Sequence, residues 1–116
     1  MLLRDIYNKL EQLGGFTTNL DDLTEEQEDF LNENNEYGID LDDLLCIIDD
    51  YSYSDFAEIC GIYKDEYDLG YNEFTSLYSL EPQLENYIDF ERFGSDLLYD
   101  EFYYQLSNGE IVYISL

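Results

Sequence analysis

The sequence predicts an α+β fold that is mainly helical and ends in a C-terminal β-hairpin. Apolar residues recur at helical spacing through most of the chain, and the last segment changes to two β-prone runs. The chain is 45% hydrophobic and 17% aromatic, which distinguishes it from a disordered acidic tail. Its 116 residues suffice for one domain or two small subdomains. We expect an acidic helical region over residues 1–80 and a C-terminal helix with the hairpin over residues 81–116.

Two helices are predicted in the first third of the chain. Apolar residues follow helical spacing over residues 2–13, and Gly14-Gly15 is a helix stop. Thr24 followed three residues later by Gln27 is typical of a capping box, which predicts a second helix from Glu25 to about residue 32.

Two further helices are predicted in the middle of the chain. Asp40 is a suitable cap for a third helix with an inner stripe of Leu41, Leu44, Leu45 and Ile48. A fourth helix is expected to begin at Ser52 or Ser54, with these residues inward: Phe56, Ile59, Cys60, Tyr63 and Tyr67. Asp68-Leu69-Gly70 is expected to turn the chain, and residues 71–78 fit a short helix or an irregular segment.

The last third is expected to contain one helix and a hairpin. Pro82 suits the first turn of a helix, and Gly94 is its expected break. Residues 102–106 and 111–114 are β-prone runs on either side of Ser107-Asn108-Gly109, which predicts a hairpin.

The residue types do not favour an enzyme. The chain has no histidine, so neither Cys46 nor Cys60 has the usual base for nucleophilic catalysis. Both cysteines lie in apolar runs, and we expect small buried hydrophobes rather than a disulfide or a ligand pair. Adjacent acids such as Asp21-Asp22 and Asp49-Asp50 arise from composition alone. We therefore predict no catalytic residues.

No cofactor or dedicated metal site is predicted either. The window that begins at Asp65 has Gly70 where an EF-hand loop needs glycine. Tyr67, Leu69 and Ser76 occupy positions in that window that require oxygen ligands or the closing glutamate. We expect a helix ending in a turn there, with weak nonspecific cation binding at most.

The charge is the most informative property of the chain. It has 29 acidic against four basic residues, a formal net charge of −25. Nucleic acid is repelled by such a protein, whereas basic protein surfaces are attracted. One interpretation is a solvated surface that serves solubility or adaptation to high salt. The other is mimicry of a polyanion, because 25 charges match about 42 Å of duplex DNA, or on the order of twelve base pairs.

The arrangement of the acids favours mimicry. They are spread over predicted helices, where neighbours three and four apart lie ≈ 5–6 Å from each other, comparable with the spacing along a phosphate strand. The predicted acidic surface consists of Asp21, Asp22, Glu25, Glu26, Glu28, Asp29, Glu33, Glu36, Asp42, Asp43, Asp49, Asp50, Asp55, Glu58, Asp65, Glu66, Asp68 and Glu73.

The segment LENYIDFERFGSDL at residues 84–97 resembles the C-terminal signature of the ArdA antirestriction proteins, L-x-N-Y-I-D-[YF]-x-x-[YF]-G-R-D-L. Ser95 stands where the family has arginine. The chain is shorter than a typical member, and we expect it to lack the family's mixed N-terminal domain. The matched positions are Leu84, Asn86, Tyr87, Ile88, Asp89, Phe90, Phe93, Gly94, Asp96 and Leu97.

The resemblance implies a dimeric mimic of bent B-form DNA, encoded by a phage or another mobile element. Such a protein occupies the DNA channel of type I restriction-modification enzymes in the cytoplasm of a bacterial host. The edge of the C-terminal hairpin is one candidate for the dimer contact. Two alternatives stay open, namely an anti-CRISPR protein that blocks a CRISPR effector and an acidic interaction adaptor that is not a DNA mimic.

The cellular location is expected to be cytoplasmic. The first residues do not resemble a signal peptide, since Arg4 and Asp5 follow the initial apolar residues at once. No apolar run reaches membrane-spanning length. We therefore expect a soluble protein that binds neither a membrane nor nucleic acid directly.

We expect the free energy of unfolding to rise with salt, because ions screen the repulsion among 29 acidic residues. Raising NaCl from about 0.02 M to about 0.5 M shortens the Debye length from roughly 20 Å to about 4 Å. Urea unfolding followed by circular dichroism at both concentrations measures the change. A midpoint that is unchanged or lower at high salt contradicts the expectation.

Overall fold

The computed structural model describes residues 2–116 and confirms the mainly helical α+β class. Its strands form a three-stranded sheet in the order β1-β3-β2. The helices are α1 (Leu3–Leu13), α2 (Glu25–Glu33), α3 (Leu41–Tyr51), α4 (Glu66–Leu77) and α5 (Phe90–Leu97), with short 3₁₀ helices at Leu20–Asp22 and Pro82–Tyr87. The strands are β1 (Glu58–Tyr63), β2 (Tyr103–Gln105) and β3 (Ile111–Ser115).

The chain forms two compact units. The N-terminal unit comprises the chain up to Cys60 together with Ile114–Leu116, and the C-terminal unit comprises Gly61–Tyr113. The division at residues 80/81 drawn from the sequence stays a prediction, and the two units are described separately below.

The junction between α1 and α2 in the N-terminal unit depends on Gln27, which is only 1% exposed. The predicted capping box is confirmed: the Gln27 backbone N–H donates to Thr24 Oγ1 (3.2 Å), and the Thr24 N–H donates to Gln27 Oε1 (2.9 Å). The Gln27 side-chain amide also donates to the carbonyls of Leu10 (2.9 Å) and Gly15 (2.6 Å). One buried side chain thus joins the start of α2 to the end of α1.

Helix α3 supplies much of the core of the N-terminal unit. Leu44, Leu45 and Ile48 are buried as predicted, whereas Leu41 is only half-buried. Asp40 precedes the helix as expected, but its side chain makes no capping hydrogen bond. The turn before α3 is held instead by Asn35, whose Oδ1 accepts the Ile39 N–H at 2.9 Å.

The helix predicted from Ser52 or Ser54 is wrong, because the chain forms strand β1 there. Phe56, expected inward, is 74% exposed. Cys60, expected to be buried, is exposed, since alternate side chains of a strand lie on opposite faces. The sheet stabilises this segment through pairing with β3, about fifty residues further along the chain. Gly61 also weakens any helix in this segment.

The turn predicted at Asp68-Leu69-Gly70 is also wrong. Asp65 caps α4, since its Oδ1 accepts the Asp68 N–H at 2.8 Å, and the helix continues to Leu77. The turn residues therefore lie in the first turns of a regular helix, and the uncertain segment 71–78 is helical up to Leu77.

Two glycines bring α4 and α5 into close contact in the C-terminal unit. A Cβ atom on Gly70 would lie 1.7 Å from the Phe90 carbonyl oxygen, and one on Gly94 would lie 1.9 Å from the Glu66 carbonyl oxygen. Gly94 is therefore required inside α5. The expected helix break at Gly94 is wrong. Rings pack beside this contact: the Phe90 centroid lies 5.1 Å from that of Tyr71.

The predicted C-terminal hairpin is confirmed. Strands β2 and β3 pair antiparallel with Tyr103 opposite Tyr113 and Gln105 opposite Ile111. Gly109 adopts a φ of 93° in the connecting turn, a conformation that favours glycine. No described helix is long and apolar enough to span a membrane.

We expect Gly94→Ala to lower the free energy of unfolding by about 3 kcal/mol, because the added methyl group forces the α4 and α5 backbones apart. Urea unfolding measures the loss. Gly61→Ala is the matched control, since no atom lies within 4 Å of its added Cβ, and a change within about 0.5 kcal/mol is expected. Equal effects of the two substitutions would contradict the close contact.

Candidate acidic surface

Helix α2 presents its carboxylates to solvent. Its buried residues, Gln27 and Leu31, are four apart and so lie on one side of the helix. The acidic residues of the helix are all exposed: Glu25, Glu26, Glu28, Asp29 and Glu33. Several are three or four residues apart, where like charges destabilise a helix by about 0.2–0.5 kcal/mol per pair. The first-turn acids Glu25, Glu26 and Glu28 are favoured by the helix dipole, whereas repulsion between neighbouring carboxylates opposes the helix.

Helix α3 carries four carboxylates on the side opposite its buried stripe. Asp42, Asp49 and Asp50 are exposed and Asp43 is half-buried. The pairs 42/49 and 43/50 are seven residues apart, which corresponds to about 10.5 Å along the helix axis. Cys46 lies between these pairs. The pKa of its thiol is raised, first by burial and then by the negative charges of the four carboxylates.

Three acids lie at helix C-terminal ends, where negative charge is unfavourable for the helix. Asp49 and Asp50 lie in the last turn of α3, and Glu33 is the last residue of α2. A carboxylate near a helix C-terminus destabilises it by about 0.3–1 kcal/mol through the helix dipole. Neither helix has a basic residue in its last turn. Requirements of folding do not explain negative charge at these positions.

The other predicted acids of the N-terminal unit are more scattered. Asp21 and Asp22 are exposed on the first 3₁₀ helix, and Glu36 is exposed in the connection before α3. Asp55 Oδ1 lies 2.9 Å from Arg4 Nε, an exposed ion pair, and Glu58 is half-buried on β1.

The predicted acids of the C-terminal unit accept hydrogen bonds within it. Asp65 caps α4, and Asp68 accepts the Lys64 N–H at 2.9 Å. Glu66 Oε1 accepts from Gln105 Nε2 (2.8 Å), and Glu73 Oε1 accepts from the Tyr63 hydroxyl (2.8 Å). Each of these four acids therefore contributes to the folded unit in addition to its charge.

Most residues of the ArdA-like segment have either a structural role or an exposed side chain, whereas Phe90 is buried and Phe93 and Leu97 are half-buried. Asp89 and Gly94 have structural roles, because Asp89 Oδ1 accepts the Arg92 N–H at 3.0 Å and Gly94 allows the close helix contact. Ile88 is half-buried. The side chains of Leu84, Asn86, Tyr87 and Asp96 are exposed.

A cluster of tyrosines that the sequence patterns do not indicate lies beside Glu73. Tyr63 donates to Glu73, and the rings of Tyr103 and Tyr113 lie 5.5 Å apart across the hairpin. Burial raises the pKa of Tyr63, and its hydrogen bond to Glu73 adds to the effect. Burial, followed by the charge of Glu73, raises the pKa of Tyr103 to about 12. The pairing of Tyr103 with Tyr113 follows from the hairpin register. The position of Glu73 next to these tyrosines depends on how α4 packs, which the sequence pattern does not indicate.

The described residues contain no cluster of potential metal ligands, and a small hollow lies in the N-terminal unit. Within residues 2–116, no three Cys, Asp or Glu side chains are grouped so as to hold a metal ion. The window considered as an EF-hand loop lies almost entirely in α4, so it does not form such a loop. A small hollow in the N-terminal unit is lined by residues 34–37 and by Leu3, Ile6, Ile39, Leu44 and Ile59. Its lining is mixed, with five aliphatic residues and the polar or aromatic residues Asn34, Asn35, Glu36 and Tyr37.

Comparison with protein-family models, curated proteins and solved structures found no match. The ArdA resemblance and the function it implies therefore stay predictions.

We expect the free energy of unfolding to fall as the pH rises from about 10 through about 12, because the neutral Tyr103 phenol is favoured in the folded state. Below pH 10 this contribution is fully present, since the phenol is neutral in both states. Urea unfolding at stepped pH measures the loss. Tyr103→Phe should make the alkaline loss smaller, whereas Tyr99→Phe, at a position that is 92% exposed, should not. The same slope in all three proteins would contradict the expectation.

Proposed function

We propose that this chain is a DNA-mimic inhibitor that competes with duplex DNA for the basic channel of a host defence complex. A type I restriction-modification enzyme is the first candidate target. The observation that carries the proposal is the display of carboxylates on the solvent side of α2 and α3, including C-terminal turns where negative charge destabilises the helix. Negative charge kept against the helix dipole is expected when the charge itself is the function.

The charge of the N-terminal unit is sufficient for a compact mimic. The unit has 17 acidic and two basic residues, a formal charge of −15, which matches about 26 Å of duplex DNA. The C-terminal unit has twelve acidic and two basic residues. Four basic side chains can neutralise only a small part of the 29 acidic residues, so most of the negative charge is available to dissolved cations and to basic partners.

Competition would proceed in three steps. Long-range attraction speeds the encounter with a basic channel. Docking places helix carboxylates against arginine and lysine side chains that otherwise bind phosphates. Ions released from both surfaces add affinity, which makes binding strongly dependent on salt. Because the charges act together, a single Asp→Asn substitution should have little effect. No step requires a catalytic residue, a cofactor or direct contact with nucleic acid.

The ArdA-like segment at residues 84–97 supports this proposal independently of charge. By that resemblance we propose a homodimer that acts in the cytoplasm of a bacterial host of a phage or mobile element. The same chemistry suits an anti-CRISPR protein, since the DNA channel of a CRISPR effector is also basic.

An acidic interaction adaptor is the second candidate, favoured by the exposed aromatic residues Tyr53, Phe56, Tyr87 and Tyr99. An adaptor of this kind would depend on a few aromatic anchors and would tolerate salt. A mimic would instead lose affinity steeply as salt rises and would be displaced by duplex DNA.

DNA cleavage by a purified type I restriction-modification enzyme tests the proposal, with the protein titrated at several salt and DNA concentrations. Inhibition that is overcome by added duplex DNA and weakened by salt supports a mimic. If the enzyme is unaffected, a purified CRISPR effector is the second target. If DNA-competitive inhibition is absent with both enzymes, the proposal is overturned.

We expect the quadruple substitution of Asp42, Asp43, Asp49 and Asp50 by Asn to weaken inhibition by about tenfold or more, because it removes the charged face of α3. Stability should change little. Loss of the two first-turn acids is unfavourable for the helix dipole and loss of the two last-turn acids is favourable, each by about 0.3–1 kcal/mol. Inhibition assays and urea unfolding measure the two effects.

A matched control neutralises four exposed acids outside the predicted surface, Asp5, Glu11, Glu91 and Asp100, to Asn or Gln. It has the same change in net charge and should inhibit within about threefold of the unsubstituted protein. Equal losses in the two variants would show that only net charge matters, and an unaffected α3 variant would exclude this face.

A further inference from the structure

The loop between α3 and β1 in the N-terminal unit exposes two aromatic side chains. Tyr53 is 70% exposed and Phe56 is 74% exposed. Phe56 has no polar atom that could hydrogen-bond to water, and it is the most exposed phenylalanine or aliphatic side chain among the described residues. Burial of such a ring is favourable, yet folding of the unit leaves it in water.

The start of α1 holds this loop at both ends. The Leu3 N–H donates to the Ala57 carbonyl at 2.8 Å, and Arg4 Nη1 donates to the Ser52 carbonyl at 3.1 Å. Arg4 Nε also lies 2.9 Å from Asp55 Oδ1. One of the two basic residues of the N-terminal unit thus contacts the loop twice. The two rings are carried by a loop of fixed backbone, which lowers the entropy lost when a partner binds.

The loop follows directly from the acidic C-terminal end of α3. Asp49 and Asp50 lie in the last turn of that helix and are exposed. The Ser52 N–H donates to the Ile48 carbonyl at 2.9 Å, so the loop begins without a break from the helix. The exposed rings therefore continue the surface on which the proposed function rests.

The charge beside the loop determines which partner fits it. A second copy of this chain would bring its own Asp49 and Asp50 to the contact and would be repelled. A basic protein surface is complementary in charge. Protein interfaces are enriched in aromatic residues at their centres, where the rings are shielded from water, and are polar at the rim.

We propose that Tyr53 and Phe56 form the apolar part of a protein-binding surface whose charged part is the acidic face of α3. The partner that fits is a basic protein surface with apolar side chains among its lysine and arginine residues. The two rings pack on those apolar side chains, while Asp49 and Asp50 accept hydrogen bonds from the neighbouring cations.

That the basic partner is a DNA-processing complex rests on the proposed function. Salt screens the carboxylates but does not weaken the burial of apolar surface, so the rings add a component of affinity that persists at high salt. A basic surface without apolar side chains gains nothing from this contact. The loop thereby favours some basic proteins over others.

Two lysine peptides of equal length and charge test the contact on the full chain, one of repeated Lys-Lys-Leu units and one of repeated Lys-Lys-Ser units. We expect the unsubstituted protein to bind the leucine peptide more tightly by roughly three- to tenfold at about 0.3 M NaCl, because leucine packs on the rings. Tyr53→Ser/Phe56→Ser should bind the two peptides equally, with affinity for the serine peptide unchanged. The matched control, Leu77→Ser/Tyr99→Ser, alters two exposed residues of the C-terminal unit and should retain the preference.

Backbone amide NMR locates the contact without any substitution. Shift changes specific to the leucine peptide should be largest at residues 49–57. If the double variant fails to fold, Phe56→Ser alone replaces it, because that side chain is 74% exposed. Equal affinity of the two peptides for the unsubstituted protein, a preference retained without the rings, or shift changes centred elsewhere would each overturn the contact.

Sedimentation of the free protein over a range of concentrations tests a second copy as the occupant. We expect Tyr53→Ser/Phe56→Ser to have the same oligomeric state as the unsubstituted protein. Loss of a dimer in this variant would assign the loop to a contact between copies and would overturn the proposal.

The proposed function and the contact can fail separately. In the nuclease assay, Tyr53→Ser/Phe56→Ser should inhibit less well at every salt concentration with the same dependence on salt, since it has lost no charge. A protein that inhibits neither nuclease yet prefers the leucine peptide through residues 49–57 retains the contact and loses the function. A protein that inhibits cleavage in competition with DNA yet binds both peptides equally retains the function and loses the contact.

Discussion

Mutual repulsion of carboxylates is the constraint under which both units of this protein fold. Because basic residues are so few, ion pairs cannot supply much of the stability, and the chain depends on apolar packing and on hydrogen bonds between uncharged groups. In the N-terminal unit the buried Gln27 side chain joins α1 to α2 through three hydrogen bonds. In the C-terminal unit, Gly70 and Gly94 let two helix backbones meet. None of these contacts requires a cation.

The carboxylates themselves fall into two groups with different consequences. Those of the C-terminal unit, such as Asp65 and Glu73, accept hydrogen bonds that stabilise helix α4 or its surroundings. Those on α2 and α3 lie on the solvent side and include residues placed against the helix dipole. The helix dipole accounts for the first-turn acids of α2 and α3 but not for the acids at their C-terminal ends, which is why the proposed function rests on the latter.

Sequence reasoning succeeded where the signal was local. The Thr24–Gln27 capping box and the Asn108-Gly109 hairpin turn involve residues close in sequence, and both were predicted. It failed where a distant partner decided the structure. Strand β1 depends on pairing with β3, and Gly94 is explained only by the backbone of α4. The acids of α2 and α3 were identified from composition and helical spacing.

The different exposure of the two cysteines makes Cys60 a natural attachment point for a spectroscopic label. Cys60 is exposed on β1, whereas Cys46 is half-buried among four carboxylates that, with burial, raise the pKa of its thiol. Since the thiolate is the form that reacts with maleimides, the raised pKa of Cys46 disfavours labelling at that residue. A fluorophore can thus be placed on the sheet without any substitution, leaving the acidic faces of α2 and α3 unaltered for binding measurements.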